Sequence, residues 1–211
     1  MEAEMRDIPI FTGCGGIASL ILSQIPYRGE GYVLIRSVFG SLEDFMNECE
    51  SFCRMAGAKT VFFSGEANFF DHPIYTTLLE REILREKLPA CAAIAVPTRN
   101  PSAWMQIYNE KFLPVPAAQY CREPKNAFDI LKDGKLIGIG QVVQDKILSV
   151  AAVERGAGAE CVCALAKLCE GDMIHLSCAE ENLPAMKLYD RLGFSQGRVK
   201  EIWYRKKTLA I

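Results

Sequence analysis

The sequence predicts an α/β protein in which mixed β-sheet is flanked by helices. Three observations carry this prediction. Stretches of strand and helix periodicity alternate along both halves of the chain. The pair Asp133-Gly134 separates two apolar runs, the pattern of a tight hairpin whose turn needs positive φ. A glycine-rich turn at 155–159 joins a strand to a helix. The composition, 211 residues of which 50% are hydrophobic and 24% charged, excludes disordered, collagen-like and coiled-coil architectures. With 24 basic against 26 acidic residues the net charge is −2, too little positive charge for nucleic acid to be the main partner.

In the first half, extended segments are expected around Ile8–Phe11 and Tyr32–Val38. Residues 41–57 read as the clearest helix. Ser41 and Asp44 can satisfy free amides of its first turn, while Leu42, Phe45, Met46, Cys49, Phe52 and Cys53 recur on one face. Gly57 supplies the stop. A strand at Thr60–Phe63 follows, and a second helix is expected after Pro73, ending near Leu88.

In the second half, Ala127–Leu131 and Leu136–Val143 flank the Asp-Gly turn, and Gln144-Asp145 leads into Ile147–Val153, completing an antiparallel meander. A helix then runs to about Cys169, followed by a strand at Met173–Cys178 and a helix at Leu183–Leu192 that ends at Gly193. A final strand pair is expected around Phe194–Arg205. The order strand, helix, strand, Asn, helix thus appears twice, offset by roughly 114 residues. This places an amino-terminal α/β half at 1–98, either a degenerate repeat or an extension, and a second domain at 99–211.

Two segments could carry chemistry. In Arg155-Gly156-Ala157-Gly158-Ala159, backbone amides at a helix start could point at a phosphate, although such turns also serve as ordinary strand–helix connections. The helix from Asn182 to Gly193 has a plausible cap in Asn182 and an early Pro184, with Leu188, Tyr189 and Leu192 close together. By itself it reads first as an amphipathic helix with a half-buried phenol.

Asn182, Ala185, Leu188-Tyr189 and Gly193-Phe194, placed after the strand Ile174-His175-Leu176-Ser177, resemble the N-x-x-A-x-x-L-Y-x-x-x-G-F signature of the GNAT superfamily of acyl-CoA N-acyltransferases. Val150-Ala151-Ala152-Val153 followed by Arg155-Gly156-Ala157-Gly158 resembles the coenzyme A pyrophosphate loop of that family, and the likeness spans roughly residues 101–205. It implies a GNAT-like, centrally splayed sheet whose strands at 147–153 and 173–178 part to admit the pantetheine arm. It also implies transfer of an acetyl group from acetyl-CoA to a primary amine by direct attack. Amides of Arg155, Gly156, Ala157, Gly158 and Ala159 would hold the pyrophosphate, and an amide near Ala152–Val153 would stabilise the oxyanion. Asn182 would bind the cofactor arm or order the strand–helix junction. Tyr189 would protonate the departing thiolate, and Glu154 is the nearest general-base candidate by position. The alternatives are a non-catalytic acyl-CoA-binding or regulatory module and a structural protein of two similar halves.

His72 and His175 lie far apart without clustered carboxylates, so no metal is expected. The nine cysteines are odd in number and include no C-x-x-C pair, which suits reduced core residues. The apolar stretch Ile17–Ile25 is too short to span a bilayer, and the Met-Glu-Ala-Glu start is not that of a signal peptide. No membrane partner and a cytoplasmic location are therefore expected.

Overall fold

The computed structural model describes residues 6–69 and 71–207. In chain order the elements are β1 (Ile8–Gly13), β2 (Gly16–Ile21), α1 (Ile25–Arg28), β3 (Glu30–Val38), α2 (Leu42–Met55), β4 (Thr60–Gly65), β5 (Ile74–Leu84), β6 (Ile94–Pro97), α3 (Pro101–Phe112), β7 (Ala127–Lys132), β8 (Lys135–Val143), β9 (Lys146–Ala152), α4 (Gly158–Ala166), β10 (Met173–Ala179), α5 (Leu183–Leu192) and β11 (Arg198–Arg205). Contacts divide them into two units, one running to Thr77 and resuming at Glu201, the other covering Leu78–Lys200.

The first unit orders its strands β1-β2-β3-β4-β11. All neighbours are antiparallel except β3 and β4, which run parallel over six residue pairs from Glu30↔Thr60 to Ile35↔Gly65. Helix α2 makes that crossover and presents Phe45, Met46, Cys49 and Cys53 to the sheet, all fully buried. Its start is capped as the sequence implies: the Ser41 hydroxyl accepts the Asp44 amide at 3.3 Å, with Glu43 and Asp44 in the first turn.

The second unit orders its strands β5-β10-β9-β8-β7-β6. The meander β7-β8-β9 is antiparallel, with Asp133 and Gly134 both at positive φ in the first turn (51° and 76°) and Gln144 in the second (54°). Helix α4 joins β9 to the parallel strand β10. Its residues from Cys161 to Ala166 are buried all the way round, so Cys161 and Cys163 point different ways and are both enclosed. The helix approaches this closely because it lies on bare backbone. A side chain at Gly138 would meet Cys161 Sγ at 2.4 Å, and one at Gly140 would meet Leu165 Cδ1 at 2.3 Å.

Two expected elements differ from those observed. The segment after Pro73 is strand β5 rather than a helix. Arg81 and Ile83 are buried on either side of the exposed Glu82, and the sheet pairs β5 with β10 from Leu84↔Met173 to Leu78↔Ala179; the charged run Glu80-Arg81-Glu82 only imitates a helix surface. The carboxy-terminal strand pair is a single strand, β11, because the residues after Gly193 serve as a loop bonded to β5, with the Ser195 amide on the Glu82 carbonyl at 2.9 Å. Among the described residues, no helix is long and apolar enough to cross a membrane.

Candidate active site

The site begins with a defect in β9. Its ladder to β8 shifts register between Ile147↔Val142 and Ser149↔Gln141, leaving Leu148 as an extra residue. The same point ends its pairing with β10, which covers only Lys146↔His175 and Ile147↔Leu176. Beyond Leu148 the two strands diverge, and a cleft of about 420 Å³ opens between them. The splay expected between these strands is therefore present.

The Val153 amide donates to the Ile137 carbonyl at 2.9 Å, and the Glu154 amide reaches the same oxygen at 3.2 Å. Antiparallel alternation then turns the amides of Ala151 and Ser149 toward β8, and those of Val150 and Ala152 toward the open edge. Of the two residues expected to offer an oxyanion donor, Ala152 has its N–H available and Val153 does not.

The far wall comes from β10 and α5. Asn182 caps α5, its Oδ1 accepting the Ala185 amide at 3.4 Å, and both residues line the cleft. Tyr189 lines it too, although only 6% of that residue is exposed; its ring lies 5.4 Å from that of Phe194. Burial pushes the phenol's pKa well above its ordinary value, so the hydroxyl keeps its proton even in alkaline solution where an exposed phenol ionises. Arg81 holds this helix in place. It is fully buried and donates to the carbonyl oxygens of Ser195 (2.6 Å), Met186 (3.3 Å) and Phe194 (3.4 Å) and to the Asp190 carboxylate (2.5 Å). Cys178 also lines the cleft, but burial raises its thiol pKa to about 11, which leaves it a poor nucleophile.

The third wall comes from α3, which carries none of the sequence motifs singled out above. Helix α3 carries Trp104, Tyr108 and Phe112 at four-residue spacing, stacked with ring centroids 5.2 and 4.4 Å apart. Asn109 bonds the Cys121 backbone in both directions, at 2.8 and 3.0 Å, and so folds the loop from Val115 to Gln119 over the cleft. The signal was available: Asn100-Pro101 is a helix start, with the Asn100 side chain accepting the Ala103 amide, and the aromatic spacing follows it.

The glycine turn lies at the amino end of α4, beside a second pocket of about 280 Å³ lined by Glu154, Arg155, Gly156, Ala157 and Glu160. Gly156 adopts φ 88°. Unlike α2, α4 has no side-chain cap: its cap residue is Ala157, and the first-turn amides of Gly158, Ala159 and Glu160 have no acceptor within the helix. The Glu160 carboxylate at this end is paired with Lys132 at 2.7 Å. Glu154 pairs with Lys135 at 3.2 Å and does not line the larger cleft. The structure therefore brings Asn182 and Tyr189 together with the open edge of β9, but not Glu154. His175 stands between Glu82 and Asp145, each at 3.7 Å, where β9 and β10 are still paired. No metal-like cluster of His, Cys, Asp or Glu occurs among the described residues.

No family model and no curated protein matches the sequence. Solved structures do match the fold. A functionally unknown conserved protein from Staphylococcus epidermidis is 11% identical with a TM-score of 0.60, over 92% of this chain and 90% of that one. A GCN5-related N-acetyltransferase from Sphaerobacter thermophilus is 16% identical with a TM-score of 0.55, over 90% of this chain and 76% of that one. A tandem GNAT protein from the clavulanic acid biosynthesis pathway is 12% identical with a TM-score of 0.50, over 90% of this chain and 77% of that one. A parallel strand pair split at a bulge, an uncapped glycine turn after it and a buried tyrosine in the wedge accompany that likeness, and the chain has the fold of the GNAT acetyltransferases.

Proposed function

We propose that the second unit is an acyl-CoA-dependent N-acyltransferase that takes acetyl-CoA as donor and a primary amine as acceptor. The observation that carries the reading is the wedge between β9 and β10 with Tyr189 in its wall. The residues present fit the donor. The uncapped amides of Gly158, Ala159 and Glu160, with the turn at 155–157, suit a diphosphate; the two carboxylates beside them, Glu160 and Glu154, are offset by Lys132 and Lys135. The outward amides of Val150 and Ala152 suit an extended amide-bearing arm, and Asn182 flanks the same cleft.

When bound, acetyl-CoA supplies a thioester carbonyl open to attack. The amine nitrogen forms the new C–N bond, the C–S bond breaks, and the extra proton on nitrogen passes to water. The Ala152 N–H is the preorganised donor for the oxyanion. Tyr189, protonated at neutral pH, gives its proton to the leaving sulfur, and the tyrosinate takes a proton back from water. Direct transfer is favoured over an acyl-enzyme because Cys178 is held as a thiol.

Calorimetric titration with acetyl-CoA tests the reading. Binding in the low-micromolar range, about −8 kcal/mol, is expected. Tyr189→Phe should bind equally well and turn over an amine panel about 10²-fold more slowly. Failure of the folded wild type to bind overturns the reading. Binding without thioester consumption over a broad amine panel would favour the non-catalytic acyl-CoA module.

A further inference from the structure

Resting on that reading, we infer that the acceptor is a primary amine on an apolar, ring-bearing body with no second ammonium, and that this body packs against Tyr108 and Phe112. The two faces of β8 separate it from the donor. A side chain at Gly138 would meet Cys161 of α4 and one at Gly140 would meet Leu165, whereas Ile139 between them packs with Trp104 of α3. Helices α4 and α3 therefore cover opposite faces. A donor held at the amino end of α4 arrives on the first face, where Tyr189 shares an apolar cluster with Cys161 and Leu165. The α3 face is left to the acceptor.

That face is built to receive apolar surface. Trp104 is 1% exposed, and its indole N–H donates to the Phe128 carbonyl at 3.1 Å, which ties α3 to β7. Tyr108 stacks on Trp104 and Phe112 on Tyr108, so the ladder runs from the core to the cleft as a fixed aromatic surface. Ala117 adopts φ 55° in the loop that Asn109 ties down, and it lines the cleft beside Val115 and Pro116. The polar side chains that the strands present on this face are engaged. The Ser149 hydroxyl donates to Gln141 Oε1 at 3.0 Å, and Gln141 Nε2 donates to the Lys125 carbonyl at 2.9 Å. A polar substituent set against the strands would lose its water without gaining a partner. A second ammonium would meet no carboxylate, because the described residues that line the cleft include no Asp or Glu. An aromatic ring gains stacking on the ladder instead.

The test compares wild type, Phe112→Ala and Phe112→Glu on 2-phenylethylamine, hexylamine, ethanolamine and spermidine. The readouts are thiol release from acetyl-CoA and calorimetric binding of each amine to the protein saturated with coenzyme A. Wild type should take 2-phenylethylamine about tenfold better, in kcat/KM, than ethanolamine or spermidine, with hexylamine between. Phe112→Ala should weaken 2-phenylethylamine binding and raise its KM about tenfold with kcat little changed. Phe112→Glu should shift the preference toward spermidine. Acetyl-CoA affinity should be unchanged in both variants. Wild-type preference for any of the other three amines overturns the inference and leaves the acyltransferase reading standing. So does an order of preference that is the same in all three proteins. Failure to bind acetyl-CoA, or binding without turnover of any amine, overturns the acyltransferase reading and the inference with it.

Discussion

Arg81 ties the cleft wall formed by α5 to β5. It sits on β5, its side chain is 0% exposed, and its guanidinium gathers the end of α5 and the loop that follows. Arg81→Met keeps much of the volume and removes the fork. The Phe194 and Ser195 carbonyls then lose a charged donor, at about 1–1.5 kcal/mol each. The Asp190 carboxylate is 52% exposed and rehydrates, so its ion pair adds well under 1 kcal/mol after solvent screening. The sum is about 3 kcal/mol, which for a chain of this size corresponds to a fall in Tm of about 6–12 °C. Because the loosened segment includes Tyr189, kcat should fall at least tenfold while acetyl-CoA affinity changes little. Thermal melts, calorimetry and steady-state kinetics on the same preparation check all three quantities. Stability within 1 kcal/mol of wild type together with an unchanged kcat would show that α5 is held by its apolar face alone, and the reasoning would be wrong.

Other outcomes follow from the protonation states. Burial raises the Tyr189 pKa, so its stabilising contribution is complete below the ordinary phenol value of about 10 and is lost as pH rises through the folded value. Accordingly, kcat should show no alkaline loss from this group below about pH 10, and Tyr189→Phe should weaken the alkaline decline of stability in denaturant titrations. Mixing the protein with acetyl-CoA in the absence of amine should leave no acetyl-enzyme by intact-mass spectrometry, because Cys178 titrates only near 11. Glu80 is held down to about 2 by Arg198 and then Lys146, at 2.7 and 3.0 Å, so its contribution is present above the unfolded carboxylate value and fades as pH falls toward 2. Glu80→Gln should therefore cost about 1 kcal/mol at pH 7 and little at pH 2, read from urea midpoints at the two pH values.

What was legible in the sequence was whatever local chemistry determines. The cap at Ser41, the Asp133-Gly134 turn and the stop at Gly193 each depend on a few adjacent residues, and each occurs where the sequence places it. The helix that carries Tyr189 and Asn182 was legible because it has its own cap and stop; the roles expected of those two residues came only with the family resemblance. The strand after Pro73 was not. The side chains of Glu80, Arg81 and Glu82 take their meaning from partners far along the chain: Arg198 and Lys146 for Glu80, Asp190 for Arg81 and the Ser195 loop for the Glu82 backbone. The helix that carries the α3 aromatics had a local signal in Asn100-Pro101, but only the fold brings Tyr108 and Phe112 to the cleft.

The two units apply one device to different effect. In each, the middle antiparallel ladder carries a bulge on the strand that feeds the crossover helix, and parallel pairing ends at that bulge. In the first unit the extra residue is Arg36, after six parallel pairs have formed, and only Ser37 and Val38 remain of β3. In the second it is Leu148, after two pairs, and the four residues Ser149–Ala152 continue as an unpaired edge. An edge of that length can offer successive outward amides to an extended ligand, whereas two residues cannot. The helix starts differ in the same sense. The side chain of Ser41 occupies a first-turn amide of α2, with two carboxylates nearby, while α4 begins at Ala157 with no cap at all. A bulge moved four residues along the strand and a serine in place of an alanine thus distinguish a half whose parallel strands stay paired from a half whose strands part and whose helix start is uncapped.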